Sequence, residues 1–342
     1  MYNVREVSIS KLDVQEWNEL LTKSEVCDAF QTFEWARVLR NSTKAHPSFL
    51  MVQRNKETIG GVMFLKRKIF KIFDCYEIRG GPSYVKGENK TVMKNIMKTL
   101  QKKRRKSTYL LFVPFPLVNY GFKEMFAQQG YHPFPFRTII IDSAKPLEEI
   151  WCALDKKARW GVKKANKLGV EVRNAESFQE WKEFYHLHMR HSSERQYPPE
   201  SYSFFKEMFK LHSKNMSRLF VAKYGNRTIA GSLFLIYKRN MVFLHNASLP
   251  TFLSHNPNNL LQWKSIEWAN KNGVTIYDMN GLPIEETKYL RGVYRYKKRW
   301  DGRICWYYYY INRKLLYSGI HLARTNSFAF KLVSCLRKHE VI

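Results

Sequence analysis

The residues best suited to chemistry sit in three short segments of the second half of the chain. SSERQYPPESY (192–202) supplies Arg195, a guanidinium whose planar fork suits bidentate hydrogen bonding to phosphate, followed by Tyr197 and Tyr202 around Pro198 and Pro199. FLHNAS (243–248) supplies His245, which can hydrogen-bond a ligand or serve as a satisfied strand histidine. GVYRYKKRWDG (292–302) carries Tyr296 and Lys297 inside a basic run. Read as a strand, that run puts Tyr296 and Lys297 on opposite faces, and by residue type alone it is the solvated side of an exposed strand. No protein nucleophile is evident, since there is no GxSxG elbow, no Cys/His signature and no Walker loop. His186, His188 and His191 do not make a zinc site. On a helix His186 and His188 point to different faces, no cysteine or carboxylate completes the set, and the group reads as surface or partner-contacting histidines.

The elements that must carry these segments are announced by a repeat. Residues 49–65 (FLMVQRNKETIGGVMFL) and 219–235 (LFVAKYGNRTIAGSLFL) align without a gap at an offset of 170. Thr58, Ile59, Gly61, Phe64 and Leu65 recur as Thr228, Ile229, Gly231, Phe234 and Leu235, with a polar turn between two apolar stretches in each copy. That pattern predicts one β-hairpin occurring twice. Each copy is followed by a strand, a helix and a strand: 75–78, 90–103 and 109–116 after the first, 241–245, 259–270 and 274–283 after the second. The order predicts two similar α/β domains, 1–135 and 136–311, with 312–342 packing back on the first as a basic helix.

Composition bounds the function classes. A chain of 342 residues with 44% hydrophobic content can bury two cores. No apolar stretch is long enough to cross a bilayer, and MYNVREVSIS lacks the basic and apolar regions of a signal peptide, so the expected location is the cytoplasm, including the inner face of the membrane. Cys27, Cys75, Cys152, Cys305 and Cys335 are odd in number and scattered, as free thiols in a reducing compartment are. The net charge of +29 predicts attraction to polyanions: a nucleic acid, an anionic membrane surface or a phosphorylated small molecule. Part of that charge forms a basic amphipathic helix over 156–167 that ends at Gly169. Trp160 within it reads as a core residue, with stacking on a base or ring as its other use. No zinc-finger spacing, RNP-type strand or heptad-linked basic region accompanies the charge, and DNA is not an expected partner.

Taken in order, KKARWGVKKANKLGVEVR (156–173), the three segments above, and NNLLQWKSIEWANKNGVTIYDMNGL (258–282) resemble the FemAB family, as do QTFEW (31–35) and RGGP (79–82) in the first half. These are aminoacyl-tRNA-dependent peptidyltransferases of peptidoglycan bridge synthesis, built from two tandem GNAT-like domains, each a mixed sheet flanked by helices. The resemblance spans about residues 28–311. It implies direct acyl transfer, in which an amine attacks a polarised carbonyl and positioning with oxyanion stabilisation supplies the acceleration.

By the same resemblance, Lys297 stabilises the tetrahedral oxyanion and Tyr296 beside it orients the site, forming the catalytic pair. Arg195 contacts the acceptor's diphosphate. Tyr197 or Tyr202 helps to bind the nucleotide-linked acceptor, and His245 stands where relatives have tyrosine. Trp35 and Arg37 belong to the first-half substrate contacts; a lysine expected four residues beyond the tryptophan is Leu39 here, leaving Arg37 or Arg40 to replace it. An acid that precedes a proline after the first domain's late strand is Val113, so the general base is left open. No bound cofactor is expected. Aminoacyl-tRNA as co-substrate is favoured because neither half has the Gly-rich pyrophosphate loop of acyl-CoA-using GNAT domains. Acyl-CoA as donor in envelope polysaccharide synthesis is the alternative, and a non-catalytic protein that binds tRNA or a membrane surface is a third reading. The expected acceptor is a phosphorylated or lipid-linked cell-envelope precursor.

Overall fold

The structure, a computed structural model, describes residues 2–69, 73–102, 107–113, 122–282 and 291–312. It separates into two compact units with boundaries after Phe136 and after Cys305, the chain rejoining the first unit at Trp306. The expected C-terminal helix lies outside the described residues apart from Asn312.

The first unit contains β1 (Tyr2–Ser8), α1 (Val14–Lys23), β2 (Ser24–Val26), α2 (Phe33–Ser42), β3 (His46–Arg54), β4 (Glu57–Ile69), β5 (Phe73–Ile78), β6 (Ser83–Val85), α3 (Asn89–Lys102), β7 (Ser107–Val113), α4 (Phe122–Gln128) and the start of β8 (His132–Asp142). Its sheet runs β1-β3-β4-β5-β7. All of these neighbours are antiparallel except β5 and β7, which are parallel. Leu50, Val52, Phe64, Ile96 and Met97 build its core between sheet and α3.

The second unit contains the rest of β8, then α5 (Leu147–Ala153), α6 (Lys156–Lys167), β9 (Val170–Asn174), α7 (Phe178–Arg195), α8 (Tyr202–His212), β10 (Ser217–Tyr224), β11 (Arg227–Tyr237), β12 (Asn240–Ser248), α9 (Pro257–Lys271), β13 (Ile276–Asp278), α10 (Arg291–Lys298) and the start of β14 (Arg303–Ile311). Its sheet runs β9-β10-β11-β12-β13-β8, again with one parallel pair, β12 with β13, in the same place. Helix starts are specified locally. Ser177 and Glu180 form a reciprocal capping box at the head of α7, and the Asp155 side chain caps α6.

The repeat extends to bulges and side chains. In the first hairpin Val52 faces Gly60 and Gln53 faces Thr58, so Ile59 is one residue too many; in the second Ala222 faces Ala230 and Lys223 faces Thr228, so Ile229 is the extra residue. The following glycines are needed for helix packing. A Cβ on Gly61 would come within 2.8 Å of the Trp17 ring of α1, and one on Gly231 within 2.6 Å of the Phe184 ring of α7. The residue before each aromatic ring is a glutamate that accepts from the hairpin threonine: Thr58 Oγ1 to Glu16 at 2.5 Å, Thr228 Oγ1 to Glu183 at 2.9 Å.

Three expectations are corrected. Tyr296 and Lys297 lie on a helix, α10, not a strand, so they do not alternate across a sheet. Trp160 is 57% exposed; the buried face of α6 is made by Ala158, Gly161, Val162 and Ala165. His188 is fully buried among the rings of Phe184, Phe205 and His245 and is no surface histidine, while His191 is half-buried.

Candidate active site

In the second unit the parallel pairing of β12 with β13 lasts for three residues, Asn240–Val242 against Ile276–Asp278. β13 then ends, while β12 runs on to Ser248. At the same point β12 carries a bulge. Phe243 faces Phe234 and His245 faces Leu233 on β11, leaving Leu244 unopposed. The strand edge released by β13 opens onto a cavity of about 780 Å³, bounded by the end of α7, the start of α9 and α10.

Lys297 enters this cavity from α10 and is the one buried residue of that helix. Its Nζ donates to the carbonyl oxygens of Met279 at 2.7 Å, Asn280 at 2.5 Å and Gly281 at 2.8 Å. The loop that offers them is itself pinned. Asn280 is left-handed (φ 53°), its backbone N–H donates to Asp278 Oδ1 at 2.7 Å, and its side chain donates to the Phe243 carbonyl at 3.0 Å. The Thr138 hydroxyl also donates to Asp278 Oδ1. Burial pulls the Lys297 ammonium down to about 8, opposed by the nearby Asp278 carboxylate. An ammonium has three hydrogens, and all three are taken by carbonyls. The ammonium can therefore act on a further anion only through space or by giving up one of these oxygens.

The rest of the Tyr-Lys-x-x-Trp-Asp-Gly segment has equally physical reasons. Tyr296 donates its hydroxyl to the Asn258 carbonyl at 2.9 Å, which ties α10 to the head of α9, and burial raises its phenol above the ordinary range. Trp300 is buried, and Gly302 passes so close to β8 that a Cβ would meet Ile139 Cγ2 at 2.2 Å.

Arg195, the last residue of α7, is exposed at the rim of the cavity, where a cation complements the helix C-terminus. Neighbouring Glu194 pairs with Arg190 at 3.0 Å, and Arg195 has no hydrogen-bond or ion-pair partner among the described residues. Tyr197 lines the cavity half-buried; burial, then the Glu200 carboxylate, pushes its phenol up to about 12, so it is a hydrogen-bond donor at neutral pH. His245 lines the cavity on β12, its Nε2 3.5 Å from Glu200 Oε1. Behind it His188 is held neutral, pushed down to about 3 by burial and by His245, with Nε2 accepting the Glu200 backbone N–H at 3.1 Å.

Lys297, Tyr296, Arg195, Tyr197 and His245 thus share one cavity. Tyr202 does not line it and packs against Phe178 and Tyr185. Trp35 and Arg37 lie on α2 of the first unit. Trp35 is buried with its ring 5.2 Å from Phe30, and Arg37 is half-buried. Leu39 is a core residue of the same helix, and Val113 ends β7 opposite Tyr308. Sequence reasoning missed Glu200, Asn246 and Asn258. Asn246 bridges the Gly231 carbonyl, Ser232 and Asn258 under the released strand edge. The signal for the two asparagines was a cluster of amides in NNLLQ and FLHNAS with no periodic reason to be polar.

Residues 154–298, which contain every one of these cavity side chains, match the family model described as an acetyltransferase (GNAT) domain. The fold as a whole is similar to the crystal structure of FemX (17% identity, TM-score 0.72, covering 92% of this chain and 99% of that one). Residues 154–298 are a GNAT domain, and the chain as a whole shares the fold of FemX. Its tandem mixed α/β architecture is also similar to the C-terminal domain of a protein described as a lysylphosphatidylglycerol synthetase from Agrobacterium fabrum (9% identity, TM-score 0.62, 95% of each chain). A tandem GNAT protein from the clavulanic acid biosynthesis pathway shares it too (12%, 0.54, 90% of this chain and 98% of that one). No curated protein matches the sequence. Acyl transfer is accordingly the class of reaction that residues 154–298 support. Among the described residues, no helix is long and apolar enough to cross a membrane.

Proposed function

We propose that the protein transfers an aminoacyl group from aminoacyl-tRNA to an amine of a phosphorylated or lipid-linked cell-envelope precursor. The observation that carries this reading is the meeting, in one cavity, of a buried cation, an unpartnered guanidinium and a histidine paired with a carboxylate on a strand edge that β13 has released.

Arg195 takes the acceptor's phosphate by a two-pronged hydrogen bond. The acceptor ammonium gives a proton to His245, whose imidazolium the Glu200 carboxylate stabilises, in place of the acid absent at Val113. The freed nitrogen attacks the ester carbonyl, the C–N bond forms, and the π pair moves onto oxygen facing Lys297. Collapse breaks the ester C–O bond, the departing ribose oxygen takes back the proton from His245, and the amide nitrogen gives its remaining extra proton to the imidazole so restored, from which it passes to solvent.

Two features favour tRNA as donor. The net charge of +29 suits an RNA stem. The segment joining β12 to α9 is a 3-10 turn over Pro250–His255, and α9 opens with Pro257, which has no N–H, so the helix head offers few amides to a CoA pyrophosphate. The acyl-CoA reading keeps the match of residues 154–298 to an acetyltransferase model on its side. A cytoplasmic site of action, at or near the membrane's inner face, goes with either donor. Label transfer to extracted envelope precursors, from charged tRNA and separately from acyl-CoA, tests the proposal. Transfer from acyl-CoA alone overturns the donor, and salt-sensitive tRNA binding without transfer from either overturns catalysis.

A further inference from the structure

We infer that the outer face of α6 is a docking surface for the anionic headgroups of a phospholipid bilayer. The helix is firmly seated on its other side. Ala158, Gly161, Val162 and Ala165 are buried, and a Cβ on Gly161 would meet Asn259 Nδ2 of α9 at 2.5 Å, so α6 lies hard against α9 and its opposite side faces out. On that outer side Lys156, Trp160, Lys163 and Lys167 follow one another at spacings of four, three and four, which is a single helical stripe. Trp160 is at its centre, 57% exposed, with Lys164 Nζ 5.0 Å from the indole centroid.

The charge on this stripe is uncompensated. α6 contains no acidic residue, and the Asp155 carboxylate at its head is used as a cap, accepting the Lys157 N–H at 2.7 Å. None of Lys156, Lys157, Lys163, Lys164 or Lys167 has a carboxylate partner among the described residues, whereas elsewhere in the same unit Lys145, Lys210 and Lys264 pair with Glu149, Glu207 and Glu267. Leu168, 39% exposed, follows immediately. An indole ringed by lysines, with a leucine beside it, is the composition of an interfacial helix face: the ring settles at headgroup level and the lysine stems reach the phosphates. RNA would answer the same charge. But the one arginine of α6, the residue type that reads fixed phosphate geometry, spends its guanidinium on the Cys152 carbonyl at 2.7 Å. What remains is a set of point charges suited to a fluid headgroup layer.

The full-length protein, without acyl donor, is mixed with phosphatidylcholine vesicles lacking or containing phosphatidylglycerol. Because no turnover is measured, the outcome is independent of the proposed reaction. Binding is expected only with phosphatidylglycerol, weakening with salt, and falling about fivefold in partition coefficient for each lysine neutralised among Lys156, Lys163 and Lys167. Trp160→Ala lowers it further. Circular dichroism checks that these surface variants fold. As a measurement on the unaltered protein, brominated lipid quenches a fraction of its fluorescence that is missing in Trp160→Phe. No binding to phosphatidylglycerol vesicles, binding unaffected by the substitutions, or variants that lose tRNA while keeping vesicles would each overturn the inference.

Discussion

The Nζ of Lys297 lies 2.7 Å from the carbonyl oxygen of Met279, and the carbonyls of Asn280 and Gly281 take its remaining hydrogens. The cation is thus held in place before any substrate arrives, as electrostatic catalysis requires. Lys297→Met is expected to lower kcat about 10²- to 10³-fold. Because burial lowers this lysine to about 8, the charge is present below that pH and lost above it. The kcat/KM profile of the wild type therefore falls as pH rises through about 8, and this limb is absent from the residual activity of Lys297→Met. A profile unchanged by the substitution removes Lys297 from the chemistry.

His245 and Glu200 are tested as a pair. His245→Gln keeps a hydrogen-bonding side chain but no base, and kcat is expected to drop about 10²- to 10⁴-fold with KM little changed. Glu200→Gln should produce a smaller loss of the same kind. If His245 only contacts the acceptor, steady-state kinetics will show the reverse, a raised KM at constant kcat.

In the proposed reaction Arg195 acts in binding. Arg195→Ala is expected to raise KM for a phosphate-bearing acceptor about 10- to 100-fold and to leave kcat close to normal. Arg195→Lys should not restore it, since a point charge cannot replace the two-pronged hydrogen bond. An acceptor analogue without phosphate should not distinguish the variants.

His188 links stability to pH. Its folded-state value near 3 lies below the ordinary 6.5, so between these values the unfolded chain binds the extra proton. Its contribution is complete above about 6.5 and is lost as pH falls toward 3, at no more than about 1.4 kcal/mol per pH unit from this residue. Denaturant midpoints measured from pH 7 to pH 4 should decline less steeply in His188→Gln than in the wild type.

Gly61 and Gly231 should fail alike. An added methyl group meets the Leu50 carbonyl and Trp17 in one unit, and Phe184 in the other. Gly61→Ala and Gly231→Ala are each expected to destabilise by about 1–3 kcal/mol. Calorimetry decides this, and a neutral effect at either position would mean that the two packings are not equivalent.

What could be read from sequence was whatever local pattern controls. The hairpins at 49–65 and 219–235 were legible because alternation and turn chemistry act within a few residues, and both were found in register. Lys297 was placed on a strand because α10 buries only that residue, leaving no apolar stripe to reveal a helix. Trp160 was assigned to a core by its size, but α6 packs through alanine, glycine and valine so closely that an indole has no room inside. His245 was picked out by resemblance. Its partner Glu200 was not, because that contact joins residues 45 apart in the chain and no spacing rule reaches it. Tyr202 looked equivalent to Tyr197 until the turn into α8 carried it away from the cavity.

The hairpin that occurs twice is copied with its extra isoleucine, its crowded glycine and its threonine-to-glutamate bond. Such a part has its own spare inside the same molecule. Residues 49–65 and 219–235 form a natural exchange pair, in which each sequence has already been proof-tested against a helix bearing a glutamate and an aromatic ring. A chimera that carries one hairpin in both places separates what the duplication must preserve, a mounting for a sheet, from what it left free to diverge on the strand that follows.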